Sequence, residues 1–221
     1  TPRGAPTPRL QTLRPTGMIG GMKVVMLDVP QSVLDERRRK GLDRHDEVWE
    51  GVYHMPPPPS GEHQGITDRA FIRIGMYVEK HRLGSVHSNQ AVRNPRCEAE
   101  DYRIPEWVFV RSSRKSIIPL DDGYFDDPPD VVLEVRSPGD ETDDKIPFYE
   151  KVGVRELIIV DRDTRVPEVL RLVRKKYSPV SPNSEGWTYC EGLRAFFRVG
   201  RKSGKPVLRV LLELDRTEHV V

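Results

Sequence analysis

Two glutamates of this sequence stand at apolar strand-like runs, where a carboxylate is costly unless its charge is compensated. Glu134 lies inside the run Asp130-Val-Val-Leu-Glu-Val-Arg136, and Glu106 opens the run Trp107-Val-Phe-Val110. Alternate residues of a strand share a face, so Val131, Leu133 and Val135 face one way and Glu134 faces the other. If the two strands are adjacent, both carboxylates converge at one end of a sheet. Two such hard oxygen ligands with waters are typical of a Mg²⁺ or Mn²⁺ site.

A cation is available close to this pair of acids. Lys145 falls on a short helix predicted from about residue 141 or 142 to residue 152. A lysine there could orient water and stabilise the negative charge of a phosphoryl transition state. The residues alone also allow a plainer interpretation, in which Glu134 is exposed or salt-bridged to Arg136 or Arg111.

The elements that must position these groups follow from periodicity and turn residues. Strand, helix and strand over residues 131–160 form a βαβ-like unit, for which we expect parallel strands. Residues 156–161 and 166–173 then form a hairpin across a turn at 162–164. Upstream, apolar residues recur at helical spacing from about His63 to Leu83, with Ser60 before the helix and Gly84 after it.

Further elements are shorter. The sequence predicts a helix at residues 32–40 with Ser32 as N-cap, a strand or hairpin at 47–55, an extended connector at Pro56–Pro59, a loop at 178–184, and strands at 187–190 and 207–214. Together with the βαβ unit, these elements indicate an α/β fold.

Composition excludes several classes of protein. The chain has 221 residues, of which 36% are hydrophobic and 20 are proline. No window of about 18 apolar residues exists, which excludes a membrane-spanning helix. Cys97 and Cys190 are the only cysteines, so we expect reduced thiols and a cytoplasmic protein, not a disulfide scaffold.

Charge is balanced overall and uneven along the chain. Thirty-six Lys and Arg against 34 Asp and Glu give a net charge of +2, so the chain is not a polycation. Acidic residues crowd residues 121–144, and basic residues dominate residues 165–205. This separation is compatible with a metal-binding acidic centre beside a basic surface, and equally with ordinary solvated faces.

The chain is expected to contain one domain. Residues 1–25 lack periodicity and cannot bury a face, so we expect a flexible N-terminal tail, with Met26 as a possible natural start. Residues 26–221 then form a single domain, a length that suits one fold.

Several of these stretches, in order along the chain, resemble one known family. They are Asp130–Pro138, Lys145, Phe148-Tyr149 and Gly153–Asp161, with Arg103-Ile-Pro-Glu106 upstream and Glu50-Gly51, Pro56–Pro59 and His63 before that. Together they resemble the Uma-two family of restriction endonucleases, a branch of the PD-(D/E)XK nuclease superfamily, over roughly residues 43–161. The resemblance implies a restriction-endonuclease-like fold, with a mixed central β-sheet flanked by helices.

The resemblance also implies roles for particular residues. Glu106 stands at the aspartate position of the family's motif, and Glu134 is the second acidic ligand. The backbone carbonyl of Val135 is a further ligand of Mg²⁺ or Mn²⁺. Arg136 occupies the place of the motif's usual lysine, and Lys145 on the following helix replaces that lysine.

His63 and Glu50 match family positions that line the site. His63 could equally cap its helix or pack at the surface, and for Glu50 a structural role is favoured. Two departures bear on activity, since glutamate replaces aspartate at residue 106 and Pro147 follows closely after Lys145.

The function expected on this basis is metal-dependent hydrolysis of DNA phosphodiester bonds, with Glu106, Glu134, Lys145 and His63 as catalytic residues. Basic residues would contact the DNA backbone, namely Arg171, Arg174, Lys175, Lys176, Arg201 and Lys202. A homodimer is expected, because cutting both strands requires two centres. Two alternatives stay open: an inactive nuclease fold that binds nucleic acid or protein, and a metal-independent hydrolase that uses His45, His54 or His63.

Overall fold

The computed structural model describes residues 24–26, 29–121 and 123–221. Its helices are α1 Gln31–Lys40, α2 Gly61–Lys80 and α3 Thr142–Val152, with 3₁₀ turns at Asp43–His45 and Ser112–Ile117. Its strands, in chain order, are β1 Val24–Met26, β2 Glu47–Trp49, β3 Val52–Met55, β4 Gly84–Ser88, β5 Ala91–Arg93, β6 Tyr102–Arg103, β7 Trp107–Arg111, β8 Tyr124–Phe125, β9 Val131–Arg136, β10 Glu156–Asp161, β11 Pro167–Val173, β12 Lys176–Pro179, β13 Thr188–Cys190, β14 Ala195–Lys202, β15 Lys205–Leu212 and β16 Thr217–Val220.

A six-stranded mixed sheet holds the centre of the fold, in the order β12-β11-β10-β9-β7-β4. β9 and β10 run parallel, as the predicted βαβ unit requires, and the other neighbours are antiparallel. A second sheet has the order β1-β3-β2-β6-β5-β8, and a third has β13-β14-β15-β16. The predicted class, an α/β fold with a mixed sheet flanked by helices, is confirmed.

The two faces of the central sheet carry separate apolar clusters. Val131, Leu133 and Val135 of β9 face α2 and the third sheet. Val132, on the opposite face, packs with Phe148 and Tyr149 of α3 and with residues of β5 and β8. Glu134 shares the parity of Val132, so the alternation within β9 directs this carboxylate towards α3.

α2 begins and packs as its sequence predicts. The Ser60 side chain accepts a hydrogen bond from the backbone N–H of His63, which satisfies one of the free amides of the first turn. Ile66, Ala70, Ile74, Tyr77 and Val78 are buried against the central sheet. The spacing of three and four residues therefore marked the buried stripe correctly.

The predicted end of α2 was wrong. The helix ends at Lys80, and Gly84 begins β4, where it pairs with Arg111 of β7. A Cβ atom at residue 84 would lie 2.0 Å from the carbonyl oxygen of Val110. Gly84 thus permits close approach of two strands and does not cap the helix.

Other local predictions also need correction. α1 begins at Gln31 with Pro30 before it, so Ser32 is not the N-cap. Part of the predicted loop at 178–184 belongs to β12, and the strands β14 and β16 were not predicted. Because these strands are exposed along one side and carry charged residues, their apolar periodicity is weak.

The predicted tail falls mostly outside the described residues. Its last two residues, Val24 and Val25, belong to β1 and pair with Met55 and His54 of β3. Within the described ranges, no helix is both long enough and apolar enough to cross a bilayer. Both cysteines are free thiols, as expected, and Cys190 is buried.

Candidate active site

Glu134 is buried at the α3 side of the central sheet, with only 3% of its surface exposed. The Tyr149 hydroxyl donates a 2.6 Å hydrogen bond to its Oε1 atom, and the Nζ atom of Lys145 lies 3.4 Å from the same oxygen. Both partners come from α3, where a spacing of four residues places them on one helical face. Neither Arg136 nor Arg111 binds Glu134, so the plainer salt-bridge interpretation was wrong.

Arg136 is occupied elsewhere. Its guanidinium donates to Asp143 of α3 at 2.6 Å and to Glu168 of β11 at 2.6 Å, and both bonds are solvent-exposed. The residue at the motif's usual lysine position is therefore neutralised by two carboxylates other than Glu134. Lys145 supplies the ammonium group that lies beside Glu134.

Lys145 is held by a second acid that the sequence analysis did not identify. Its Nζ atom lies 2.8 Å from Oε1 of Glu47, which opens β2 and is 4% exposed. Glu47 also accepts hydrogen bonds from the Ile104 amide at 2.8 Å and from the Trp49 indole at 2.8 Å. The only sequence signal for Glu47 is its position at the start of a strand in which bulky and polar residues alternate.

Glu50 lies outside this group. It forms a surface ion pair with Lys151 at 2.9 Å, and its side chain is 67% exposed. The structural role that the sequence favoured for Glu50 agrees with this position.

Glu106 stands immediately before β7, where α2 packs against the end of the sheet. His63 Nε2 lies 2.5 Å from its Oε1 atom, and the Thr67 hydroxyl donates to its Oε2 atom at 3.2 Å. His63 and Thr67 are four residues apart on α2 and so share a face. The Nδ1 atom of His63 lies 3.0 Å from the hydroxyl oxygen of Ser137. The His63 side chain therefore contacts the site, while its backbone amide is the group that Ser60 caps.

The four charged groups influence one another's protonation. Burial raises the pKa of Glu134 to about 7, the Lys145 ammonium opposes that rise, and the charges of Glu106 and Glu47 add to it. Burial alone would lower the pKa of Lys145, but Glu134, Glu47 and Glu106 together raise it above its usual value. Lys145 is therefore a protonated ammonium group at neutral pH, suited to stabilising negative charge and unsuited to acting as a base.

Glu106 and His63 each shift the pKa of the other. Burial raises the pKa of Glu106, but the hydrogen bond and charge of His63 outweigh it, and the pKa falls below its ordinary value. Burial lowers the pKa of His63, and the hydrogen bond and charge of Glu106 reverse that effect, so its pKa is raised. Glu106 is consequently a carboxylate.

The residues present fit a hard divalent cation. Three acids, Glu47, Glu106 and Glu134, surround Lys145, and the raised pKa of His63 favours a second cation beside Glu106. Among the residues that the structure describes, no group of three or more His, Cys, Asp or Glu side chains is arranged to hold a metal. Mg²⁺ is commonly bound by one or two carboxylates and keeps several waters, and Glu106 and Glu134 are of the type and number that such a site uses.

The backbone carbonyl of Val135 points to the side of β9 on which Glu106 lies. The carbonyls of Asp130, just before β9, and of Arg136 at its end accept from the amides of Glu156 and Arg162, on the β10 side. Since carbonyls alternate along a strand, that of Val135 points to the other side, towards β7. β7 pairs with β9 only as far as Trp107 opposite Leu133. The Val135 carbonyl thus lies just beyond the last pair, on the side of Glu106.

The residues predicted to contact DNA lie away from the end of the central sheet that carries Glu134. Register puts Arg171 opposite Glu156, level with Val131, whereas Glu134 is level with Glu168 of β11. Arg171 binds Glu156 at 2.8 Å, and Lys176 binds Glu150 at 2.6 Å. The remaining four are exposed at two hairpin turns, Arg174 and Lys175 after β11, and Arg201 and Lys202 at the end of β14.

Comparison with known proteins decides the family. The profile of the Uma2 family, described as "Putative restriction endonuclease", matches residues 36–197 of the chain. The chain belongs to the Uma2 family. The predicted resemblance is therefore confirmed, and all four residues Glu47, Glu106, Glu134 and Lys145 lie within the matched range.

A solved structure gives the same fold. It is the crystal structure of a protein from Anabaena variabilis, titled as a putative nuclease belonging to DUF820. The two proteins are 19% identical, the match covers 67% of this Uma2 chain and 82% of the other, and the TM-score is 0.53. No sequence among the curated proteins matches the chain.

Proposed function

We propose that the chain is a divalent-cation-dependent endonuclease that hydrolyses phosphodiester bonds of DNA. Membership of a family described as restriction endonucleases supports a nuclease. The observation that supports this proposal is the contact of Lys145 with Glu134 at 3.4 Å, with the charge of Glu106 close enough to raise the pKa of both groups. Acids with an adjacent ammonium group are the arrangement that metal-assisted phosphoryl chemistry needs.

Glu106, Glu134 and the Val135 carbonyl would hold the cation, Mg²⁺ or Mn²⁺. The cation would polarise the phosphate and lower the pKa of an attacking water. Tyr149 holds Glu134 in place through its hydroxyl, and His63 and Thr67 fix both oxygens of Glu106. Such supporting hydrogen bonds orient the ligands before substrate arrives.

Lys145 would stabilise the charge that develops on the phosphate. Glu47 and Glu134 keep it protonated and restrict its position. A preorganised ammonium in a buried site acts more strongly than one in water. His63 supports this chemistry as a positioning residue, because its two ring nitrogens are engaged by Glu106 and Ser137.

For the DNA backbone, we propose contacts from Arg174, Lys175, Arg201 and Lys202, which are exposed at two turns. Arg171 and Lys176 already have carboxylate partners and would contribute less. A homodimer in the cytoplasm remains part of the proposal, because cleavage of both strands requires two centres. Sedimentation equilibrium with and without DNA tests the dimer.

Nicking of a supercoiled plasmid tests the main proposal. We expect cleavage with Mg²⁺ or Mn²⁺, none with EDTA, and none with Glu134→Gln. Glu168→Gln is a matched control, because Glu168 lies level with Glu134 on β11 but is 46% exposed. Cleavage by Glu134→Gln as fast as by wild type would overturn the assignment, and activity in EDTA would favour the metal-independent hydrolase.

One observation favours the second candidate, an inactive nuclease fold that binds nucleic acid or protein. Glu106 replaces the motif's aspartate, and both of its oxygens already have partners in His63 and Thr67. Calorimetric titration with Mn²⁺ separates the two candidates. A single saturable site that Glu134→Gln abolishes supports the nuclease, and the absence of any saturable site supports the binding module.

A further inference from the structure

A cavity of about 370 Å³ lies beside the candidate active site, between the β2–β3 hairpin and α3. Its apolar walls are formed by Trp49, Val52, Pro147 and Phe148. Pockets for small molecules span about 300–1,000 Å³, so this cavity is at the small end. It suits one planar ring system.

Arg103 lines this cavity between two aromatic rings. Its guanidinium carbon lies 4.2 Å from the ring centroid of Trp49 and 4.2 Å from that of Phe148. Two rings at this distance must approach the guanidinium from different directions, so it lies between them. The side chain is only 6% exposed. A flat ligand that approaches in the plane of the guanidinium would therefore enter between the rings.

One edge of the Arg103 guanidinium is bonded and the other is free. Nη1 donates to Asp101 at 2.9 Å and to the carbonyls of Val48 at 3.1 Å and Tyr102 at 3.0 Å. Nε is buried without a partner. Nη2 likewise has no hydrogen-bond partner among the residues described. The Nε–Nη2 edge offers two parallel N–H donors, which match two adjacent acceptor atoms.

The charges of the cavity favour a neutral ligand over a phosphate group. Asp101 pairs with Arg103, and Glu50 pairs with Lys151 at the rim. Asp144 adds a further carboxylate to the lining. The cavity thus lacks the excess of positive charge that a phosphate site needs.

We infer that this cavity binds a single unpaired nucleobase that presents two adjacent hydrogen-bond acceptors. Guanine presents N7 and O6, and unpaired cytosine presents N3 and O2, whereas adenine and thymine have no such pair. A base enclosed on both faces must leave the helical stack, as in enzymes that flip bases out of a duplex. The inference rests on the proposed function and names the part of the nucleic acid that the site takes.

Glu47 connects the cavity to the candidate active site. One of its oxygens lies 2.8 Å from Lys145 Nζ, and the other accepts from the Trp49 indole at 2.8 Å. α3 likewise contributes Tyr149 to Glu134 and Phe148 to the cavity. A base in the cavity and a phosphate beside Lys145 would therefore belong to the same nucleotide or to neighbouring nucleotides of one strand.

Binding of single nucleotides tests the inference without cleavage. Wild-type protein in EDTA is titrated calorimetrically with dGMP, dCMP, dAMP, dTMP and inorganic phosphate. We expect dGMP and dCMP to bind roughly 5- to 150-fold more tightly than dAMP and dTMP, the range for one bidentate pair. Equal affinity for all four, no binding of any, or phosphate binding as tight as dGMP overturns the inference.

Two variants locate the binding. Arg103→Lys keeps the charge but loses the two parallel donors, and Val52→Trp fills the cavity without altering Arg103. Both should abolish the preference for dGMP over dAMP, with folding checked by thermal unfolding. If Arg103→Lys does not fold, Val52→Trp decides the question. Val173→Trp, at a β11 position that is 50% exposed, should leave the preference unchanged.

The two proposals fail in different ways. If the chain is not a nuclease, metal-dependent cleavage is absent while the nucleotide preference in EDTA persists. If the cavity does not bind a base, cleavage is retained. Single-stranded oligonucleotides with and without guanine or cytosine are then cut equally.

Discussion

Lys145 and Glu134 meet across a separation of 11 residues, with the Nζ atom of Lys145 3.4 Å from Oε1 of Glu134. The contact joins a strand to the helix that follows it, so the β9–α3 connection sets its geometry. Arg136, on the strand itself, is held by Asp143 and Glu168. The ammonium group beside Glu134 is therefore fixed by the packing of α3 on the central sheet.

Replacing Lys145 by methionine should lower the rate of DNA cleavage by about 10²–10³-fold. That is the usual cost of removing one preorganised donor from a developing negative charge. Single-turnover nicking with Mn²⁺ measures the rate. Lys80→Met is the control, since Lys80 is the last residue of α2 with a 64% exposed side chain, and its rate should match that of wild type. A wild-type rate for folded Lys145→Met contradicts the role.

Replacing His63 by glutamine should weaken Mn²⁺ binding about 10- to 100-fold, the typical cost of losing a group that orients a ligand. His63 holds Glu106 through Nε2 at 2.5 Å. The measurement is calorimetric affinity for Mn²⁺, which a purely structural role would not change. His81→Gln provides the control, because His81 follows the end of α2 and binds Asp215 at 2.7 Å, far along the helix from Glu106.

Replacing Tyr149 by phenylalanine should lower the free energy of unfolding by about 1.5–3 kcal/mol. This value holds above the raised pKa of Glu134, about 7, where the acceptor of the lost buried hydrogen bond is a charged carboxylate. Tyr177→Phe removes a bond of 2.9 Å to the Val154 carbonyl, a neutral acceptor, and should cost about 0.5–1.5 kcal/mol. Urea unfolding measures both, and equal costs would argue against a charged acceptor at Glu134.

The sequence was most informative where burial is continuous. β9 and β10 are apolar on both faces, and a helix separates them, so parallel pairing could be predicted from the rule for such crossovers. The same alternation placed Glu134 on the other face of the sheet from Leu133 and Val135, and the structure agrees. By contrast, β4 contains glycine, two serines and a histidine, and its pairing with β7 depends on close approach at Gly84.

Contacts between distant segments explain what the sequence could not provide. Glu47 lies in a hairpin that no local pattern connects to Lys145, and only the packing of α3 on that hairpin brings them within 2.8 Å. The stack of Trp49, Arg103 and Phe148 likewise draws on three separate elements. Side chains that depend on tertiary packing carry no periodicity of their own, so composition and spacing do not identify them.

Glu156 offers a test of the fold that is independent of the proposed chemistry. It opens β10 and is 3% exposed. Its carboxylate accepts from Arg171 at 2.8 Å and from the amides of Glu191 at 3.0 Å and Gly192 at 2.6 Å. These bonds join the central sheet to the turn after β13. Glu156→Gln would leave Arg171 without its buried partner. It would also place the NH₂ group of the glutamine among the N–H donors that Glu156 accepts from.

We expect Glu156→Gln to lower the free energy of unfolding by about 1.5–3 kcal/mol, the cost of losing hydrogen bonds to a buried charged group whose partner Arg171 is 34% exposed. Glu191→Gln is the control, because Glu191 lies 3.8 Å from Arg171 and is 62% exposed, and its change should stay within about 0.5 kcal/mol. Urea unfolding at fixed pH gives both values. Since Glu156 is level with Val131 and not with Glu134, the folded fraction of Glu156→Gln should bind Mn²⁺ as tightly as wild type does. Weakened Mn²⁺ binding in that fraction would show that the two ends of the sheet are coupled, contrary to this expectation.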